Sequence, residues 1–113
     1  MRKKTNKSKP PDITGYYLLL RQNDDRPAFA EDPENPRNRT VLVFSSTAKL
    51  NVFQLNLYMQ NDDLSGETFR QHKIVDGSGF LKHLSRNTNY GIGIDPTMDG
   101  DAINIEHSWR QYE

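Results

Sequence analysis

The sequence predicts an α/β (α+β) fold, a single domain on a mixed sheet of about five or six strands with two helices and a C-terminal β-hairpin. Three observations lead there. A nearly continuous apolar run stands at residues 15–21 and a β-branched and aromatic run at residues 40–45, a segment free of glycine and proline at residues 48–60 carries apolar residues at helical spacing, and residues 90–94 and 102–106 alternate every second residue. The order strand, helix, strand, helix, strand is that of right-handed crossovers, while a closing hairpin adds antiparallel pairing, so the sheet is mixed.

Residues 15–21, GYYLLLR, follow the Pro10-Pro11 punctuation and form a nearly continuous apolar run, the pattern of a strand covered on both faces. Residues 22–39 are polar and hold Pro27, Pro33 and Pro36; they read as the longest loop, with a short edge strand over residues 27–30. Residues 40–45, TVLVFS, predict a central strand feeding a helix, because Ser45, Ser46 and Thr47 are each able to cap a helix N-terminus. In that helix Leu50, Phe53 and Leu57 recur at helical spacing and Val52, Leu55 and Met59 widen the apolar side, so a broad face is expected to pack on the sheet. Turn residues at 61–66 end it, and residues 67–75 alternate through Phe69, Gln71, Lys73 and Val75 as a further strand. Asp76, Gly77, Ser78 and Gly79 supply a turn and a cap before a short helix at Phe80, Leu81 and Leu84 that stops near residues 87–89. The runs 90–94 and 102–106 are expected to pair with each other as the antiparallel hairpin. Trp109 and Tyr112 follow the last strand as a structural cap on the core.

The chain of 113 residues is long enough to bury one modest core, and its 34% of apolar residues keeps that core small. Its formal net charge is zero but unevenly spread. Arg2, Lys3, Lys4, Lys7 and Lys9 precede every acidic residue, leaving ten basic against fifteen acidic residues, a net of minus five, in the remainder. Residues 1–12 are therefore expected to form a disordered basic arm and residues 13–113 the single domain. An acidic body repels a phosphate backbone, so nucleic acid is not an expected partner. The absence of cysteine removes thiol chemistry and favours a reducing compartment. No run has the length of a membrane span, and the first residues carry lysine without an apolar region, so the expected location is cytoplasmic.

The nearest approach to a functional motif is residues 95–106, DPTMDGDAINIE. Asp95, Asp99, Gly100, Asp101 and Glu106 fall where a calcium loop wants carboxylates and a turning glycine. Thr97 and Pro96 break that pattern, and the alternating flanks are strands in place of helices, so the segment reads as a hairpin turn. A cation site at its tip from Asp95, Asp99 and Asp101 is the alternative, since three close carboxylates repel one another until neutralised. Gly91 and Gly93 lack the third glycine and following helix of a dinucleotide fingerprint. His72, His83 and His107 lie on three elements without ligand spacing, and Ser46 and Ser78 stand in no nucleophile turn. No catalytic residue and no cofactor is expected.

At residues 41–50, VLVFSSTAKL, a strand closing on Phe44-Ser45-Ser46 and opening a helix, the chain resembles the SseB-like domain, named for a bacterial type III secretion enhancer. The likeness continues through the helix at Phe80 to Leu84 into YGIGIDP at residues 90–96, similar to that family's strand ending in Asn-Pro, with Asp95 in place of the asparagine. It spans about residues 40–107. The resemblance implies a small bacterial α/β module without catalytic residues and with a role in protein contact. Together with the missing catalytic constellations it points to a non-enzymatic interaction module, with a partner protein or a second copy of the chain as its ligand. The expected contact surfaces are the loop at residues 22–39 with Arg26, Arg37 and Arg39, the basic arm, and the end that carries Trp109 and Tyr112. A ligand- or cation-binding domain using residues 95–101 is the second reading, and an enzyme of unrecognised type the third.

Overall fold

The apolar runs at the middle of the chain have no polar face, and a strand of that kind has to be covered on both sides. A computed structural model of the chain describes residues 9–32, 35–60, 69–85, 90–100 and 102–111 and shows that covering. Strand β1 (Tyr17–Arg21) and strand β3 (Asn35–Phe44) lie antiparallel at the centre of a six-stranded sheet, with Tyr17 opposite Phe44 and Leu18 opposite Val43. Strand β4 (Phe69–Lys73) flanks β1, strand β5 (Tyr90–Ile94) lies parallel to β3, and strand β8 (His107–Arg110) closes the far edge antiparallel to β5. The order is β4-β1-β3-β5-β8, with strand β2 (Phe29–Asp32) paired to β3. The expected mixed sheet with two helices is what the chain forms.

Helix α1 (Thr47–Gln60) carries the chain from β3 across β1 to β4, and helix α2 (Gly77–Ser85) carries it back across β1 and β3 to β5. Two crossovers that travel in opposite directions with the same hand lie on opposite faces of the sheet. The core is divided accordingly. Leu18, Leu20, Val41, Val43, Tyr90 and Ile92 point to the α2 side, where Phe80, Leu81 and Leu84 meet them. Leu19, Leu42 and Phe44 point to the α1 side and pack with Leu50, Phe53 and Leu57. Ile13, fully buried, adds to the α2-side core, and the Thr14 hydroxyl accepts the Gly77 amide at 3.0 Å, tying the start of the described chain to the start of α2.

Several expectations are corrected. β1 begins at Tyr17, because Gly15 (φ 88°) turns the chain before it. Residues 22–39 are no simple loop: β2 and the first half of β3 form a hairpin with Phe29 opposite Val41 and Glu31 opposite Arg39. Pro36 escapes the usual ban because β3 pairs with β5 only from Arg39 onward, leaving its first residues in a projecting ribbon. The strand after α1 ends at Lys73, before Ile74 and Val75, and residues 67 and 68 lie outside the described residues. α2 starts three residues before Phe80 because the Asp76 carboxylate accepts the Gly79 amide at 3.1 Å as an N-cap.

The largest correction concerns the C-terminal hairpin. Residues 90–94 and 102–106 do not pair with each other. β5 takes β3 on one edge and β8 on the other, with Ile92 opposite Trp109, so Trp109 belongs to the last strand instead of following it. Asp95, at φ 52°, and the buried Pro96 swing the chain out of the sheet. Strand β6 (Thr97–Asp99) then pairs with strand β7 (Ala102–Asn104) as a separate small hairpin turned by Gly100 (φ 64°), and Met98 and Ile105 come down on the α1-side core.

Candidate functional site

β3 and β5 are neighbours and run parallel, and the connections leaving their carboxyl ends go opposite ways, β3 into α1 and β5 toward β8. Such a fork is where α/β sheets receive ligands. Here the chain's own carboxylate fills it. Asp95 Oδ1 accepts the Ser45 amide at 2.8 Å, Oδ2 accepts the Ser45 hydroxyl at 2.8 Å, and Lys49 Nζ lies 3.2 Å from Oδ2. Ser46 is the cap proper, its Oγ accepting the Lys49 amide at 3.3 Å. Partial burial pushes the Asp95 carboxyl up, but the Ser45 amide, the Ser45 hydroxyl and the Lys49 ammonium outweigh it and hold the group below the ordinary carboxylate range.

Asp95 is therefore committed to the β3–α1 junction. Asp99 ends β6, exposed and opposite Ala102, while Asp101 lies outside the described residues. Among the described residues no three His, Asp or Glu side chains are grouped to hold a metal ion. His72 stands on β4, His83 on α2 and His107 on β8.

The feature that sequence reading misassigned is α1. At 3.6 residues per turn, Leu50, Phe53 and Leu57 share one face, and Ala48, Val52, Leu55 and Met59 share the opposite one. The first set is the sheet-facing one: Leu50 and Phe53 are buried, and the Phe53 ring packs 5.3 Å from that of Phe44. The second set does not widen that face but points to solvent, with Val52, Leu55 and Met59 at 61%, 60% and 67% exposure. Two opposed apolar stripes leave only the flanks for polar residues. Asn51 and Gln54 accept from the Gln71 amide nitrogen on β4, at 2.5 and 3.2 Å. On the other flank Lys49, Val52 and Asn56 border a cavity of about 380 Å³ floored by Phe53, Pro96 and Met98. Lys49, bound to Asp95, is the helix's single charged residue in fourteen. The signal was present in the 4-3-4 spacing of residues 48, 52, 55 and 59.

The arginines expected to make contacts separate. Arg26 sits in the turn after β1, where Asp25 adopts φ 58°, and its Nε lies 3.7 Å from Asp24. Arg39 lies on β3 with its guanidinium carbon 4.7 Å from the centre of the Phe29 ring. The two line one cavity of about 350 Å³ with Pro27, Phe29, Val41, His83, Leu84 and Tyr90. Trp109 is half-buried, its ring 5.8 Å from that of Tyr90, and it packs against the α2-side core. Tyr112 lies outside the described residues, as does the side chain of Arg37. Comparison of the chain with protein-family models, with curated proteins and with solved structures gives no significant match.

Proposed function

We propose that this protein is a non-enzymatic, cytoplasmic interaction module of the SseB-like kind, that it binds protein through the outer face of α1, and that the occupant is a second copy of the chain. The observation that carries the reading is the exposed stripe of Val52, Leu55 and Met59 on a helix with one charged residue. Exposed helix faces are normally charged, and a helix apolar on two sides has the pattern of one covered on two sides. The residues that carry the resemblance, Phe44-Ser45-Ser46 and Ile94-Asp95-Pro96, lie at the ends of adjacent parallel strands.

A second copy fits the stripe better than a charged partner does. With Lys49 already paired, the face has no charge to steer an acidic or basic surface toward it. An antiparallel twofold centred near Leu55 sets Val52 against Met59 of the second copy and Leu55 against itself, and the stripe from Val52 to Met59 is about 10 Å long. Asn51 and Asn56 beside it carry side-chain amides, which donate and accept alike and so match themselves. A contact of one helix is smaller than the roughly 800 Å² per partner of standard interfaces, so the dimer is expected to be reversible. Sedimentation equilibrium over a wide concentration range tests this. A monomer–dimer equilibrium that Leu55→Glu abolishes, with the circular dichroism spectrum unchanged, supports the reading. A monomer at every concentration, or a dimer indifferent to Leu55→Glu, removes the second copy as occupant.

A further inference from the structure

α2 has only nine residues and leaves part of its sheet face open. The opening lies between the C-terminal half of α2 and the β2–β3 hairpin, on the face of the sheet away from α1. We propose that this cavity binds a small aromatic acid, a single ring bearing a carboxylate or a phosphate.

The lining is chemically divided. Among the described residues Arg26, Arg39 and His83 stand on its walls without a carboxylate beside them. Among the described residues Arg39 has no carboxylate partner, and its guanidinium rests on the Phe29 ring. A guanidinium held in that way keeps its N–H edge available for an oxyanion and loses little freedom on binding one. Arg26 lines the same cavity from the turn after β1, its Nε 3.7 Å from Asp24. The floor is apolar, with Val41 and Tyr90 buried and Leu84 beside them, so it suits a flat ring. The volume of about 350 Å³ is at the lower end of small-molecule sites and admits one ring with its acid group, not a dinucleotide. The carbonyl end of α2 stands on the same side and disfavours an anion, so recognition falls to the guanidinium groups.

The test is an amide-resolved NMR titration of the full chain with phenyl phosphate, benzoate, inorganic phosphate and phenol. At least one of the two aryl acids should produce saturable shifts centred on Phe29, Leu84 and Tyr90. It should bind about tenfold more tightly than inorganic phosphate or phenol, because neither of those offers both the charge and the ring. Which aryl acid wins identifies the oxyanion. Arg39→Gln should weaken that binding about tenfold, and Arg39→Lys, which keeps the charge but loses the planar fork, should fall between. Arg26→Gln with His83→Gln gives a second variant that leaves the Phe29 contact intact and should also weaken it. The proposal is overturned if neither aryl acid saturates, if inorganic phosphate binds as well as the aryl acids, if the shifts centre elsewhere, or if the folded variants bind as the unaltered chain does.

Discussion

Asp95 is where local strain and electrostatics meet. A φ of 52° is disfavoured for side chains other than glycine, asparagine and aspartate, and the turn at Asp95 takes β5 out of the sheet. Its carboxylate is held by two Ser45 donors and Lys49. A carboxylate whose pKa is depressed on folding contributes stability that is present above its unfolded value, about 3.9, and is lost as pH falls through the lower folded value. Asp95→Asn keeps the backbone preference while removing the charge. It is expected to lower stability by about 1–3 kcal/mol at neutral pH, and the difference from the unaltered chain should shrink in urea titrations repeated at progressively more acidic pH. Gly93 makes a second residue-scale prediction. A Cβ there would lie 3.1 Å from the methyls of both Ile105 and Thr40, so Gly93→Ala should destabilise by about 1–3 kcal/mol by overpacking, read from the denaturation midpoint. Gly93 lets Ile105 close over the strand.

At the scale of the element, α1 separates two kinds of apolar residue that hydrophobicity alone does not distinguish. Phe53 is 2% exposed and packs at a tilt against Phe44, whereas Leu55, two positions on, is mostly exposed. Phe53→Ala is expected to cost about 3–5 kcal/mol. Leu55→Ala should stay within about 0.5 kcal/mol when the chain is dilute, as surface substitutions do, and should act on association instead. Thermal melts at low and high protein concentration read both effects. Because the outer stripe contributes no charge to the contact, the self-association should also resist added salt, a result that sedimentation in raised sodium chloride checks. The sequence showed that α1 is a helix with apolar residues on much of its circumference. It did not show which stripe the sheet takes, because both repeat at helical spacing, and the choice is made where Leu50 and Phe53 meet Phe44 and Leu42.

For the whole molecule, the sheet order governs what is brought together. β3 pairs with β2 and β1 on one side and β5 on the other, and this places Arg39 and Phe29 beside Tyr90 and the end of α2. Arg26 and Arg39 stood out in the sequence by their place in a polar, proline-containing segment, but His83, Tyr90 and Phe29, which line one cavity with them, had no sequence signal linking them to those arginines. The expected pairing of residues 90–94 with 102–106 failed for a related reason. Alternation identifies strands but not partners, and Ile92 finds Val41 and Trp109 because those neighbours close both of its edges.

The sequence by itself determined the class of the fold, the strands that must be buried on two faces, the helix after Ser46 and the turn propensity at Asp95 and Gly100. Each of these depends on periodicity or backbone preference within a few residues. Only the tertiary structure decided the strand order, the outward stripe of α1, the capture of Asp95 by Ser45 and Lys49, and the meeting of Arg26, Arg39 and His83. Those depend on contacts between residues far apart in the chain, and local patterns are compatible with more than one arrangement of them.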